Sequence, residues 1–308
     1  MDSTVKVSSS HLFHVSCVKM LRSFDNGITE QVSPVCRVEL LFGPKEMTED
    51  ATKRYLEVKR QIGDECWGAL STAHQREMDE IIRMLQDTAK QGLGDAQFNL
   101  GVMYEHGHGV TQDLTESIQW YRKAAEQGVA SAQFNLGVMC NDGQGEKCDQ
   151  DEAINWFRKA ASQGFVDAQF NLGVMLTVAT DHDEAVRWFR MAADQGYMAA
   201  QFNLGFMYEQ GQGVERDHIE AIRWYKEAAK QGFTDAQFNL GVMYTMLHDL
   251  IEAVRWYQRA AERGHSNARH NLSITLLHIS HDTMQRERPF GGAALNFQRC
   301  RVGIKRGQ

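Results

Sequence analysis

The chain has 308 residues, a formal net charge of −7, 24% charged and 43% hydrophobic residues. That is the ordinary composition of a soluble folded protein, and the acidic balance argues against nucleic acid as the main partner. No run approaches the roughly 20 apolar residues that cross a bilayer. Only three residues are proline, which suits a chain made mostly of helix, because proline breaks helix interiors.

Residues 1–45 fit no repeat and read as an irregular N-terminal segment. His14, Ser16 and Lys19 interrupt its apolar residues, so no secretory leader is expected and the chain reads as cytoplasmic. Val35–Phe42 has the composition of a short strand. Residues 46–92 read as a helical cap. A first helix is expected over Glu49–Leu70, followed by EIIRMLQDTAKQG from Glu80 to Gly92, in which Met84 and Thr88 hold places filled by Trp and Ala further on.

From there the chain repeats itself. The string AQFNLG begins at Ala96, Ala132, Ala168, Ala200 and Ala236, and a decayed copy, ARHNLS, begins at Ala268. The steps are 36, 36, 32, 36 and 32 residues. Five of the six tryptophans, Trp120, Trp156, Trp188, Trp224 and Trp256, follow the first five copies at a distance of 24 or 20 residues. A fixed period of this size marks a repeat architecture.

Each unit reads as two helices. In the first, Ala96, Leu100, Met103 and Tyr104 share one helical face, Phe98 and Val102 make a second apolar side, and Gly101 permits close helix contact. In the second, Ala221, Trp224, Tyr225, Ala228 and Ala229 form the apolar stripe, and Gly232 ends the helix. The connections carry Gly107-His108-Gly109, Gly143-Gln144-Gly145 and Gly211-Gln212-Gly213, or the shorter ATDHD and MLHDL. These glycines follow a helix rather than a strand, so they read as turn residues with positive φ, not as a phosphate loop.

The pattern A-x-x-x-L-G-x-x-Y, then G-x-G-V, then A-x-x-W-[YF]-x-x-A-A-x-x-G resembles the Sel1-like repeat family, a relative of tetratricopeptide repeats, over about Asp95 to Leu277. The resemblance implies an all-α fold, an α/α right-handed superhelical solenoid spanning residues 93–281, with units starting near 95, 131, 167, 199, 235 and 267. Leu100, Gly101, Tyr104 and the five tryptophans are its structural positions. The basic segment 282–308 then reads as a disordered tail: from Arg286 onward six cations face Glu287 alone, a net +5 that leaves −12 for the rest.

The family resemblance implies a non-enzymatic scaffold or adaptor for a protein or peptide partner. Asn99, Asn135, Asn171, Asn203, Asn239 and Asn271 are the candidate binding residues. An amide donates and accepts at once, so it can pair with a peptide main chain whatever its sequence, and helix-one asparagines of peptide-binding tetratricopeptide domains look like these. Packing against a neighbouring carbonyl is the competing role for the same side chains. The glutamines at 97, 133, 169, 201 and 237 point about 160° away from the asparagines and cannot share their groove. Units differ at Glu105, Asn141, Thr177, Glu209 and Thr245, where partner choice could be tuned.

No catalytic or metal-binding constellation, cofactor or small-molecule substrate is expected. His106, His108, His278 and His281 read as structural or solvated. Asn271-Leu272-Ser273 has glycosylation spacing but falls inside a helix. Cys140 and Cys148 flank one loop and are expected to stay thiols in a reducing compartment. An adaptor of a ubiquitin-ligase quality-control complex is one alternative. A β-lactam-binding hydrolase, like cysteine-rich bacterial relatives, is a weaker one, because those carry a regularly spaced Cys pair in each repeat and this chain does not.

Overall fold

A computed structural model of the protein describes residues 43–63, 67–144 and 149–286. The strand expected at 35–42, most of the irregular N-terminal segment and the tail from 287 onward lie outside the described residues. Among the described residues all regular structure is helical. The helices are α1 (Pro44–Ile62), α2 (Thr72–Lys90), α3 (Gly94–His106), α4 (Leu114–Glu126), α5 (Ala130–Asn141), α6 (Gln150–Ser162), α7 (Val166–Val178), α8 (His182–Asp194), α9 (Met198–Gln210), α10 (His218–Lys230), α11 (Thr234–Met246), α12 (Leu250–Glu262) and α13 (Ser266–Arg286). Consecutive helices pair as they do in a tetratricopeptide-like solenoid.

The helix boundaries follow from local chemistry. Each second helix opens with Asp-x-x-Glu. The side chains of Asp113, Asp149, Asp181 and Asp249 accept from the backbone N–H three residues on, at distances of 2.7–3.2 Å. That satisfies a donor the helix itself leaves unpaired. Each second helix ends at Ala-Ala-x-[Gln/Arg]-Gly. Gly164, for example, has φ 88°, and Phe165 N–H then reaches back to Ala160 C=O at 3.2 Å, the reversal that glycine makes without steric cost. In the short connections the left-handed position is held by Thr180 (φ 66°) and His248 (φ 59°) instead.

The helices fall into two compact units, one reaching to Ala200 with Gly211–Glu215 added, the other comprising Gln201–Gln210 and the chain from Arg216. Inside each, two contacts recur. First, the glycine of each first helix lies against the aromatic of its own second helix. A Cβ at Gly137 would sit 2.8 Å from Phe157 and one at Gly173 2.7 Å from Phe189. Second, the glutamines join one pair to the next. In the first unit Gln97, Gln133 and Gln169 each donate to the second Ala carbonyl of the preceding helix, at 3.0, 3.0 and 3.2 Å. Each also accepts from a glutamine 30 or 26 residues on: Gln127 at 2.6 Å, Gln163 at 2.8 Å and Gln195 at 2.8 Å. These side chains are buried, and a buried amide satisfied on both ends is a specific fastener.

The N-terminal cap differs from the expectation in its bounds. Gly63, at φ 71°, stops α1 at Ile62, well short of Leu70, and a single 3₁₀ turn follows at Trp67–Ala69. Arg54 ties α1 to α2 through Glu77 at 2.6 Å and Glu80 at 2.5 Å. The hydroxyl of Tyr55 meets His108 Nδ1 at 2.5 Å, and Trp67 stacks on the same imidazole with 4.1 Å between ring centres. His108, 3% exposed, is therefore a structural histidine. One expectation is corrected: Cys140, 2% exposed on α5, is held in a disulfide rather than remaining a thiol. The thiol expectation came from the compartment and not from the fold; Cys148 lies outside the described residues.

The second unit contains one broken fastener. Gln237 donates to Ala229 C=O at 3.2 Å, but its Oε1 is buried without a partner, because Arg263 stands where Gln127, Gln163 and Gln195 stand in the first unit. Arg263 instead donates to Gly232 C=O at 3.0 Å. Arg263→Gln restores the amide pair and is expected to stabilise the protein by about 1 kcal/mol, read as a rise in Tm; an unchanged or lower Tm would contradict this account of the junction.

Candidate functional site: the asparagine face of the first helices

The asparagines lie two residues after the glutamines, on the other side of each first helix. The structure does not treat them alike. Asn99, 4% exposed, donates to the Thr52 hydroxyl of α1 at 2.7 Å. Asn135 and Asn239 hydrogen-bond the hydroxyls of Tyr121 and Tyr225 on the preceding second helix. Asn271 reaches the Tyr257 hydroxyl at 3.4 Å. Asn171 and Asn203 are half-buried and have no hydrogen-bond partner among the described residues. In the first unit the reason is readable. The aromatic on the helix before Asn171 is Phe157, which has no hydroxyl to offer.

The same tyrosines explain the positions that vary between units. Tyr121 donates to Glu105 at 2.6 Å and Tyr225 to Glu209 at 2.7 Å; Thr245 lies 3.3 Å from the Tyr257 hydroxyl. Where the ring is Phe157 or Phe189, the same first-helix position holds Asn141 or Thr177. Burial, and then the neighbouring carboxylates Glu105 and Glu209, hold Tyr121 and Tyr225 well above the ordinary tyrosine range.

Within each unit the surface around the asparagines is largely apolar. Val174 is 37% exposed, Val178 76%, Phe206 41% and Met246 56%, and beside them are the half-buried rings of Phe134, Phe170, Phe202 and Phe238. Helices α3, α5, α7, α9 and α11 contain no Lys or Arg, while Asp95, Glu105, Asp167, Glu209 and Asp235 lie on them. The cations sit on the second helices and are engaged there. Arg122 pairs with Glu152 at 2.7 Å and Arg158 with Glu184 at 3.1 Å. Lys123 and Lys159 lie over Trp120 and Trp156 at 4.0 and 3.8 Å. In the first unit a cleft opens on the same face, lined by Thr52, Asp95, Phe98 and Asn99 with Lys45 and Glu49 of α1.

Leu100 is fully buried, Trp156 and Trp224 are 7% and 6% exposed, and Tyr104, Trp120, Trp188 and Trp256 are half-buried. Trp156 and Trp188 donate to Glu152 and Glu184 at 3.2 and 3.0 Å. Sequence reasoning missed the capping aspartates and the glutamine pairs. The signal for both was present, in a recurrent Asp-x-x-Glu-Ala and in a second glutamine at Ala-Ala-x-Gln-Gly. Among the described residues no helix is long and apolar enough to cross a membrane, and no group of three or more His, Cys, Asp or Glu could hold a metal ion.

Helix pairs of fixed length, fastened by recurrent side chains, define a helical-repeat protein. A sequence model of the Sel1 repeat matches residues 94–129, 130–165, 166–197, 199–233 and 234–265, more than half of the chain, and the protein belongs to the Sel1 repeat family. The decayed sixth copy lies beyond these matches. Among solved structures, a Sel1 repeat protein from Oxalobacter formigenes is 33% identical, with 71% of this chain and 86% of that one covered and a TM-score of 0.56. A protective antigen of uropathogenic Escherichia coli strains that displays an SLR fold is 28% identical, with 86% of this chain and 61% of that one covered and a TM-score of 0.57. No curated protein matches. Proteins of this fold generally serve as protein-interaction scaffolds and are typically non-catalytic.

The tyrosines give a pH signature. A tyrosine whose folded pKa is raised stabilises the fold fully below its unfolded pKa of about 10, and that stability is lost as pH rises further. Thermal stability is therefore expected to fall above pH 10, and Tyr225→Phe to flatten that fall. An identical pH profile in the variant would show that the Tyr225–Glu209–Asn239 contact is not maintained.

Proposed function

We propose that this protein is a non-catalytic binding scaffold that takes up an extended peptide segment of a partner along the asparagine face of the first helices α3, α5 and α7. The observation that carries the reading is the free amide of Asn171. Five of its five sister positions on α3, α5, α9, α11 and α13 keep an asparagine, yet a half-buried amide without a partner forfeits hydrogen bonds that water or a ligand must supply. A peptide main chain supplies both a donor and an acceptor. The exposed valines beside it offer apolar side-chain contact, and neighbouring helices 8–10 Å apart match about every third residue of an extended chain.

The charge distribution narrows the partner. With no Lys or Arg on α3, α5, α7, α9 or α11, these helices cannot hold a carboxylate by ion pairing. The preferred segment is neutral to basic and apolar at intervals.

The test is a peptide array probed with the full chain, followed by titration of the best binder. Asn171→Ala is expected to weaken that binder about tenfold, which corresponds to about 1.4 kcal/mol. Phe157→Tyr should do much the same without touching the asparagine, because the new hydroxyl engages Asn171 internally. Asn99→Ala should lower Tm and leave the affinity unchanged. Unaltered affinity in both Asn171→Ala and Phe157→Tyr, with the fold intact, would remove the asparagine face from the account.

A further inference from the structure

On α5, α7, α9 and α11 the phenylalanine of the AQFNLG string meets a ring set just before the next first helix. Phe134 meets Phe165 with 5.1 Å between ring centres, Phe170 meets Tyr197 at 5.0 Å, Phe202 meets Phe233 at 5.1 Å, and Phe238 stacks on His265 at 4.4 Å. The second residue of the same first helix follows the chemistry of that ring. Phe165 and Phe233 have no polar hydrogen to donate, and the residues that go with them are Ser131 and Ala199. Tyr197 and His265 can donate, and the residues that go with them are Asp167 and Asp235. The Tyr197 hydroxyl donates to Asp167. His265 Nδ1 accepts the Ala268 N–H at 3.1 Å, which leaves Nε2 as the donor, 3.5 Å from Asp235.

The first pair breaks the series. It has the carboxylate, Asp95, but the residue just before α5 is Val129. Phe98 meets Tyr121 at 5.7 Å, and the second ring found in the other pairs is replaced by two methyl groups. Asp95 has no hydrogen-bond or ion-pair partner among the described residues. A cleft opens at this place, within the first unit, lined by Leu93, Asp95, Phe98 and Val129 together with Lys45 and Glu49 of α1. Two carboxylates against one ammonium favour a neutral donor over an anion. The apolar part of the lining favours a phenol, which combines a large apolar ring with one polar tip.

We propose that this cleft is a subsite for a tyrosine side chain of the bound partner, its ring against Phe98 and Val129 and its hydroxyl donating to Asp95 as Tyr197 donates to Asp167. The partner thus supplies the ring that the first pair lacks. The proposal rests on the peptide reading above and deepens it: Asn99 lines the same cleft, so the tyrosine anchors the segment at the α3 end of the asparagine face and sets its register.

The probe is N-acetyl-L-tyrosine amide, titrated into the ¹⁵N-labelled full chain and followed by backbone amide shifts. Saturable shifts are expected at residues 95–99 and 129–131, with a Kd on the order of 1 mM for so small a ligand. N-acetyl-L-phenylalanine amide should bind about fivefold more weakly, the worth of one hydrogen bond. Asp95→Ala, with helical circular dichroism retained, should bring the two probes to the same Kd. Val129→Tyr should fill the cleft from within, abolish the shifts and raise Tm. Absence of saturable shifts, equal affinity of the unmodified chain for the two amides, or tyrosine amide binding that survives Val129→Tyr would overturn the proposal; should Val129→Tyr not fold, Asp95→Ala decides. The two readings fail separately. Tyrosine amide bound at the cleft while Asn171→Ala leaves peptide affinity unchanged would remove the extended peptide and keep the subsite. A peptide that depends on Asn171 but lacks tyrosine, with no shift at the cleft, would do the reverse.

Discussion

In the first unit, each junction between helix pairs rests on a buried amide held at both ends. A glutamine one residue past the leading alanine donates to the second alanine carbonyl of the helix before it and accepts from the glutamine in the turn that ends its own pair, as Gln133 does between Ala125 and Gln163. Apolar contact alone is non-directional and would let successive pairs slide or rotate on one another. A two-ended amide has one geometry. It sets the side of the first helix that faces inward, and thereby the side, two residues on, that the asparagines occupy.

That division of labour separates two amide rows that look equivalent in the sequence. The glutamines are consumed by the fold. The asparagines are consumed only where a partner happens to lie within reach: Thr52 for Asn99, and the tyrosine hydroxyls for Asn135, Asn239 and Asn271. Phenylalanine at 157 leaves Asn171 unclaimed. A single oxygen atom on the preceding helix therefore decides whether a position is a packing contact or an open one. The charge pattern follows the same split, with cations fastened to the tryptophans and glutamates of the second helices and none on the first helices of the five pairs.

Much of this was legible beforehand because the repeat displays its own constraints. The spacing of Ala96, Leu100 and Tyr104, the tryptophans and the Gly-x-Gly turns fixed helix identity, pair boundaries and the inward face, and the 160° offset already barred glutamine and asparagine from one groove. What stayed illegible depends on contacts between residues remote in sequence. Asn99 and Thr52 are 47 residues apart, and nothing in either neighbourhood announces the bond. The end of α1 at Gly63 was hidden because an amphipathic pattern continues past it. Cys140 was misread as a thiol because the expectation came from the compartment and not from the fold.

The central claim, that one amide row is structural and the other open, is tested most directly by hydrogen exchange of side-chain amides in ¹⁵N-labelled protein. Gln169 and Asn171 sit two residues apart on α7, so local differences in solvent and helix stability largely cancel. The account predicts slow exchange for the Gln169 side chain, which is fully buried between Ala161 and Gln195, and fast exchange for Asn171. Comparable protection at both positions would show that Asn171 is held by the fold and would contradict it.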